Sequence, residues 1–270
     1  MKYAQPDRRP AVITGASSGI GAETAKALAT AGFPVALGAR RLDRVEEIAA
    51  AIRADGGEAV AHPLDVTSDD SVAEFAAKAV ADLGEIEVVV SNAGVTHPGA
   101  TVDVSTETFG GQVDINLLGA HRVLRAFGPG MIERQRGDLV FLSSDVAVRP
   151  RPFMGAYAAS KWGLEGMVNA LRMELEGTGV RASIVRPGPT HSDIGNEWPA
   201  ELGGFVLEQW VRWGLARHPH FLKAQALADA ITSVVTAKRG VHISTIDVNP
   251  EAPVQAPAGP GERSDRREPR

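Results

Sequence analysis

Tyr157 and Lys161 stand four residues apart in "GAYAASKWGLEGMVNALRMEL", where apolar residues recur at helical period, so their side chains share one helix face. The tyrosine is one of only two in the chain. A phenol with its ordinary pKa near ~10 is a poor base at neutral pH, but a neighbouring ammonium favours the phenolate. The pair therefore suits a general acid/base that moves a hydroxyl proton. Standing alone, such a pair is more often a solvated helix face, so its meaning depends on what surrounds it.

A second group lies near the start. "TGASSGIG" carries Gly15, Gly19 and Gly21, with Ser17, Ser18 and Ile20 among them, directly after the apolar run "AVIT" and before a helical segment. Glycines let the backbone turn sharply and approach a pyrophosphate, whose charge the free amides of a helix start attract. A glycine triplet carries weight only between a strand and a helix, and this one has that setting.

The elements that must position these groups alternate along the chain. Seven β-rich apolar runs at 11–14, 35–39, 58–64, 87–91, 138–143, 181–186 and 241–247 are separated by helical segments. Continuous apolar runs suit strands covered on both faces, and right-handed crossovers between them build a doubly wound three-layer α/β domain. The first helix is expected to end at Gly32. Another opens on Thr67 or Ser68 as its cap and closes at Gly84.

The spacing TGxxxGxG, rather than GxGxxG, resembles the short-chain dehydrogenase/reductase family, in particular its single-domain branch of about this length. Further motifs follow in the family's order. Asp65 and Val66 come after the third strand, Asn92, Ala93 and Gly94 in "SNAG" after the fourth, and Asn116 in "DINLLG". Ser144 precedes Tyr157 by thirteen residues, and "RPGPTHS" supplies Pro187, Gly188, Thr190 and Ser192. The likeness runs over 10–247. It implies a Rossmann-type doubly wound sheet of seven mainly parallel strands with helices on both faces, in one domain. The implied activity is NAD(P)-dependent hydride transfer between a secondary alcohol and a ketone, without metal.

The same resemblance assigns roles. Tyr157 becomes the acid/base, with a pKa lowered by Lys161 and the positive nicotinamide; Ser144 binds the substrate oxygen, with Ser143 its adjacent rival. Lys161 holds the nicotinamide ribose, and Asn116 a water that relays protons. Asp65 and Val66 contact the adenine, Asn92 to Gly94 and Pro187 to Gly188 line the cofactor, and Thr190 and Ser192 supply hydroxyls near the carboxamide. Thr190 stands where an apolar residue is common and Ser192 where a threonine is. The family also implies a homotetramer or homodimer.

At the end of the second strand, "GARRLDR" has Ala39 where an acid would bind the ribose of NAD, followed by Arg40 and Arg41. A guanidinium fork suits the extra phosphate of NADP(H), which is therefore favoured, with NAD(H) allowed and Arg40 the expected clamp. Ser17 could add a hydroxyl. Between about 190 and 222, Trp198, Trp210 and Trp213 sit among glycines, as a lid over an apolar substrate or equally as a packing surface. His218 and His220 have no further ligand motif beside them and read as loop histidines.

Composition bounds the rest. A net charge of −5 gives no general basic field for nucleic acid, and the absence of cysteine excludes thiol chemistry and disulfides. No apolar run opens the chain, which reads as cytoplasmic with no membrane partner; 1–9 is expected to be flexible, and 249–270, rich in proline, alanine and glycine, disordered. The rival readings are a catalytically silent cofactor-binding sensor or scaffold of the same fold, and an epimerase or dehydratase with the same glycine loop.

Overall fold

The computed structural model describes residues 7–191, 198–216, 218, 220–252 and 254. Ser192, the other lid residues 193–197, 217 and 219, the first six residues, and 253 and 255–270 of the expected tail lie outside the described residues. The strands are β1 (Ala11–Thr14), β2 (Val35–Ala39), β3 (Ala59–Pro63), β4 (Val88–Ser91), β5 (Gly137–Leu142), β6 (Val180–Pro187) and β7 (Thr245–Val248). The helices are α1 (Gly19–Thr30), α2 (Leu42–Ala54), α3 (Asp69–Leu83), α4 (Thr106–Val113), α5 (Gly119–Glu133), α6 (Gly155–Glu174), α7 (Ala200–Arg212) and α8 (Ala224–Thr236).

The strands form one sheet in the order β3-β2-β1-β4-β5-β6-β7, and all six pairings are parallel. Because side chains alternate across a strand, neighbouring residues feed opposite cores. Val12, Val89 and Leu139 face Phe75 of α3, Phe127 of α5 and Leu164 of α6, while Ile13, Val90 and Val140 face Leu28 of α1, Val45 of α2 and Ile231 of α8. The order reverses between β1 and β4, and the crevice beyond the carboxyl ends at such a point is where this architecture binds ligands.

Helix ends follow local chemistry. Ser68, not Thr67, caps α3 by accepting a bond from the Ser71 amide, and Gly84 closes it at φ +82. Gly32 follows α1 at φ +88, a left-handed conformation that ends the helix without a Cβ penalty.

At the amino end the buried Arg9 guanidinium pairs with Asp138 and donates to Val235 O (2.6 Å), while Arg8 pairs with Glu58 (2.6 Å). One expectation needs correction. The last strand is later and shorter than 241–247. Ahead of it, Arg181 reaches Val241 O (2.7 Å), and Ser244 O accepts from Arg172 as well as from the Ile184 amide of β6 (2.9 Å).

Candidate active site

The candidate residues come from loops that leave the carboxyl ends of β1 to β6. Gly15 directly follows β1 and has φ +66, and a Cβ there would sit 2.8 Å from Ala93 Cα. Gly19 has φ +54, and a Cβ on Gly21 would come within 2.6 Å of Asn92 Nδ2. Asn92 in turn donates from Nδ2 to the carbonyls of Thr14 (2.9 Å) and Gly15 (3.2 Å), and the Thr14 hydroxyl accepts from the Asn92 and Ala93 amides (3.0 Å each). Asn92 and Ala93 therefore brace the glycine turn. Ser18 is the N-cap of α1 but makes no side-chain cap bond, and no acid occupies the first turn, so the helix start offers bare amides to an anion.

A cleft of about 470 Å³ runs from this turn across the sheet edge. Its lining includes Gly15, Ser17, Ser18, Gly19, Ile20, Arg40, Arg41, Asp65, Val66, Asn92, Ala93 and Gly94. Size and lining suit an extended dinucleotide half, with glycines at a pyrophosphate and arginines at one end. Arg41, rather than Arg40, spans to the glycine turn: its Nη2 donates to Ser17 Oγ (2.9 Å) and Ser18 Oγ (3.1 Å). Asp65 accepts from the Thr67 amide and hydroxyl, and these bonds, with the nearby Arg40 and Arg122 charges, hold its carboxyl below the usual range although burial opposes them.

Between α4 and α5 the helix widens into a π turn over Asp114–Leu118 that carries the buried Asn116. Such turns cost regular hydrogen bonding and recur at functional sites. Asn116 Oδ1 accepts from the Val95 amide (2.8 Å), and Nδ2 donates to Val95 O and Ser160 Oγ (2.9 Å each). Both its N–H groups are thereby engaged, so the carboxamide clamps the loop after β4. Gly94 lies between it and Lys161, where a Cβ would be 3.1 Å from Asn116 Oδ1 and 3.7 Å from Lys161 Nζ.

Lys161 is buried, donates to Leu142 O (2.8 Å), and places Nζ 5.7 Å from the Tyr157 ring centroid. The two adjacent serines point apart. Ser143 donates to Glu165 Oε1 (2.6 Å), whereas Ser144 donates to Asp145 Oδ1 (3.3 Å) and accepts from the Val146 amide (3.3 Å). The expected lowering of the Tyr157 pKa is not a property of the chain alone. Burial pushes the phenol up to about 12, with the nearby Ser144 hydroxyl opposing and the Asp145 charge adding to the rise. Burial likewise pulls Lys161 down to about 8 against the favourable charge of Glu165.

The turn after β6 approaches the sheet's far side. The Gly188 amide donates to Val248 O (2.8 Å) and a Cβ there would meet Asn249 Oδ1 at 2.8 Å, so the first residues of the expected tail, Asn249 and Pro250, are packed on this turn. Thr190 donates its hydroxyl to Gly188 O (2.8 Å). The ends of the expected lid are pinned together where Thr190 bridges Leu222. Within it, Trp198 Nε1 donates to Thr96 O (3.0 Å) and Trp210 Nε1 to Pro152 O (3.2 Å), while Trp213 is largely exposed. Pro187, Gly188, Thr190, Ser144, Tyr157 and Lys161 do not line the large cleft. His218 and His220 stack edge to face at 5.9 Å, and no group of three metal-ligating side chains occurs among the described residues.

A family model described as short chain dehydrogenase matches residues 9–203, well over half of the chain. The chain belongs to the short chain dehydrogenase family. Among curated proteins, this short chain dehydrogenase is 31% identical over 240 residues to the 2,3-dihydro-2,3-dihydroxybenzoate dehydrogenase of Bacillus subtilis, covering 87% of this chain and 91% of that one. It is 40% identical over 184 residues to the glycine betaine reductase ATRR of Emericella nidulans; that match takes in 68% of this chain but 14% of the much longer relative. Among solved structures it is similar to an alcohol dehydrogenase from the archaeon Thermococcus sibiricus complexed with 5-hydroxy-NADP, with a TM-score of 0.78, 32% identity, and coverage of 90% of this chain and 96% of that one.

Several groups in this short chain dehydrogenase escaped the sequence reading. Val95, Thr96, His97 and Ile115 line the cleft, and Thr14 braces it with a hydroxyl that looked like the last residue of a strand. Glu165 and Arg186 form a forked pair, Arg186 Nε to Oε1 (2.8 Å) and Nη2 to Oε2 (2.7 Å), directly behind Ser143. A signal existed: Glu165 follows Lys161 by one helical turn, on the same buried face. No helix among the described residues is long and apolar enough to cross a membrane.

Proposed function

We propose that this chain is an oxidoreductase that interconverts a secondary alcohol and a ketone with NADP(H). The observation that carries the reading is the buried Lys161 ammonium 5.7 Å from the ring of Tyr157, set next to a glycine-lined cleft open to a helix N-terminus. When bound, the cofactor supplies or accepts the hydride. The chain's own residues would do the rest. Gly15, Ser17, Ser18, Gly19, Ile20 and Gly21 would receive the pyrophosphate, Arg41 with Arg40 the ribose phosphate, and Asp65, Val66 and Asn92 to Gly94 the walls of the cleft.

In the reductive direction Tyr157 gives its hydroxyl proton to the carbonyl oxygen as charge develops there, and Ser144 donates a hydrogen bond to the same oxygen. A phenol whose pKa stands at about 12 keeps that proton at neutral pH until it is needed. In oxidation the proton returns to Tyr157, and Lys161 stabilises the phenolate across the 5.7 Å to its ring. The activity and ligand of the similar archaeal alcohol dehydrogenase support both the reaction and the cofactor.

Absorbance at the nicotinamide band with NADPH and a panel of aliphatic and aromatic ketones tests this. Oxidation of NADPH that disappears in Tyr157→Phe is expected. Tight NADPH binding without turnover of any ketone would favour the silent sensor instead.

A further inference from the structure

Strand alternation divides the end of β5 between the two cores. Leu139 and Phe141 face the core that α6 covers, and Ser143, next in that series, turns the same way and donates to Glu165 Oε1 (2.6 Å). Leu142, between them, packs its side chain in the opposite core but gives its carbonyl to Lys161 Nζ (2.8 Å). Lys161 and Glu165, one helical turn apart on α6, thus hold consecutive residues of the strand end immediately before Ser144.

A second tie leads from Glu165 to β6. The glutamate is buried and both its oxygens are taken, because Arg186 Nε donates to Oε1 (2.8 Å) and Nη2 to Oε2 (2.7 Å). Arg186 directly precedes Pro187 and Gly188, and its Nη1 lies 3.5 Å from Asp247, its register partner on β7. Val168, one turn beyond Glu165, and Ile184, two residues before Arg186 on the same strand face, belong to the apolar core. A buried ion pair is often no more stable than apolar side chains of similar volume. Stability alone therefore gives no reason for a carboxylate at this position.

We propose that Glu165 is a positioning residue for Lys161: it holds the strand end whose carbonyl receives the ammonium, and it supplies the opposite charge that keeps that ammonium protonated inside the protein. The inference rests on the reading of Tyr157 and Lys161 as the proton-handling pair. Burial draws Lys161 down to about 8, and the charge of Glu165 opposes that fall. Burial would raise Glu165 in turn, yet the Arg186 fork and the Ser143 hydroxyl hold it below the usual carboxylate range. It is therefore ionised wherever Lys161 titrates. The titratable groups facing Lys161 are Tyr157 and Glu165 of its own helix. Arg172 of α6 and Arg186 of β6 face Glu165, Asp247 of β7 faces Arg186, and Asp145 and Arg151 face Tyr157. Through Lys161, Glu165 reaches the phenolate of Tyr157 without touching a substrate.

The magnetic resonance signal of Lys161 Nζ, in the full chain isotopically labelled on lysine, reports the protonation; it is assigned as the signal absent from Lys161→Met. Glu165→Gln keeps the size and an acceptor oxygen but removes the charge, and the Lys161 midpoint is expected to fall by about one pH unit. Glu165→Asp, which keeps the charge, should recover most of that loss. Arg186→Met should move the midpoint upward, because Glu165 keeps its charge and the competing cation is gone; it also serves if Glu165→Gln does not fold. Ser143→Ala, which removes only the bond to the strand end, should lower the midpoint by less than Glu165→Gln. A midpoint that stays fixed in Glu165→Gln while the unfolding temperature drops would reduce Glu165 to scaffolding and overturn the proposal, as would a fall in Arg186→Met. An unchanged midpoint in Ser143→Ala would overturn the part given to the strand end. The titration needs no substrate, so an enzyme that turns over no ketone leaves this outcome readable and the two failures distinct.

Discussion

At the level of single residues, the chemistry of the site depends on which of two neighbours faces inward. The adjacent serines and adjacent arginines show this. Ser143 donates to Glu165 and Ser144 to Asp145, and Arg41 rather than the expected Arg40 reaches Ser17 and Ser18. Sequence supplies residue types; it does not supply the rotation at a helix start, where Arg41 occupies the N-cap of α2 and points back over the turn. A guanidinium held by two hydroxyls is preorganised for a phosphate. Arg41→Ala is therefore expected to weaken NADPH by on the order of ten- to a hundredfold, the worth of a charged hydrogen bond or two, with NADH little changed. Arg40→Ala should cost less, and fluorescence titration of both cofactors against both variants measures it. An equal loss for NADH and NADPH in Arg41→Ala would remove it from phosphate recognition. Tyr157→Phe keeps the ring and removes the proton donor, so kcat should fall by about 10²- to 10⁴-fold with an unchanged NADPH affinity.

At the scale of elements, what was legible followed from burial on both faces. β2 and β1 are runs of buried residues and were readable to the residue, whereas β7, at the sheet's edge and only partly buried, was misplaced: the first β6 amide to pair with this segment, that of Ile184, reaches Ser244 O, and Val241 O ahead of it is held by the Arg181 side chain. The π turn at Asn116 had no sequence signal, since its neighbours on either side are ordinary helix. The pairing of Glu165 with Arg186 was likewise hidden, because it joins α6 to the end of β6 across 21 residues. Burial would raise Glu165, but the Arg186 fork and the Ser143 hydroxyl hold it below the usual carboxylate range. A depressed carboxylate contributes stability above its unfolded pKa that is lost as pH falls through the folded one. Glu165→Gln should thus destabilise the domain at neutral pH by about 2–3 kcal/mol, less than for a fully buried pair because Arg186 keeps some exposure. The loss should shrink under acid, and urea unfolding at neutral and acid pH checks it; a loss that does not depend on pH would point to packing alone.

Across the whole molecule, stability and chemistry are kept at opposite ends of the sheet. The amino end is fastened by compensated charges: Arg9 and Arg181 both pair with Asp138, and Arg136 with Glu87. The carboxyl end holds what a stability optimum would avoid, including left-handed Phe153, a π turn, and a buried ammonium at Lys161. Lys161 makes the contrast measurable. Its pKa falls from 10.5 to about 8 on folding, so between those values the unfolded chain binds more protons than the folded one and stability rises with pH. Below that window the buried charge costs about 3 kcal/mol at roughly 1.4 kcal/mol per unit. Tyr157 acts in the opposite sense only above its ordinary pKa of 10.0, where the folded chain retains the proton longer. Lys161→Met removes the charge and keeps most of the volume, so it should be inactive, yet more stable relative to the native chain near neutral pH than in mild alkali. The stability gap between the two should narrow by about 2 kcal/mol between about pH 7 and about pH 10, read from urea midpoints. A gap that stays constant across that range would mean the ammonium is solvated in the free protein, and the site would then need its cofactor to bury Lys161 at all.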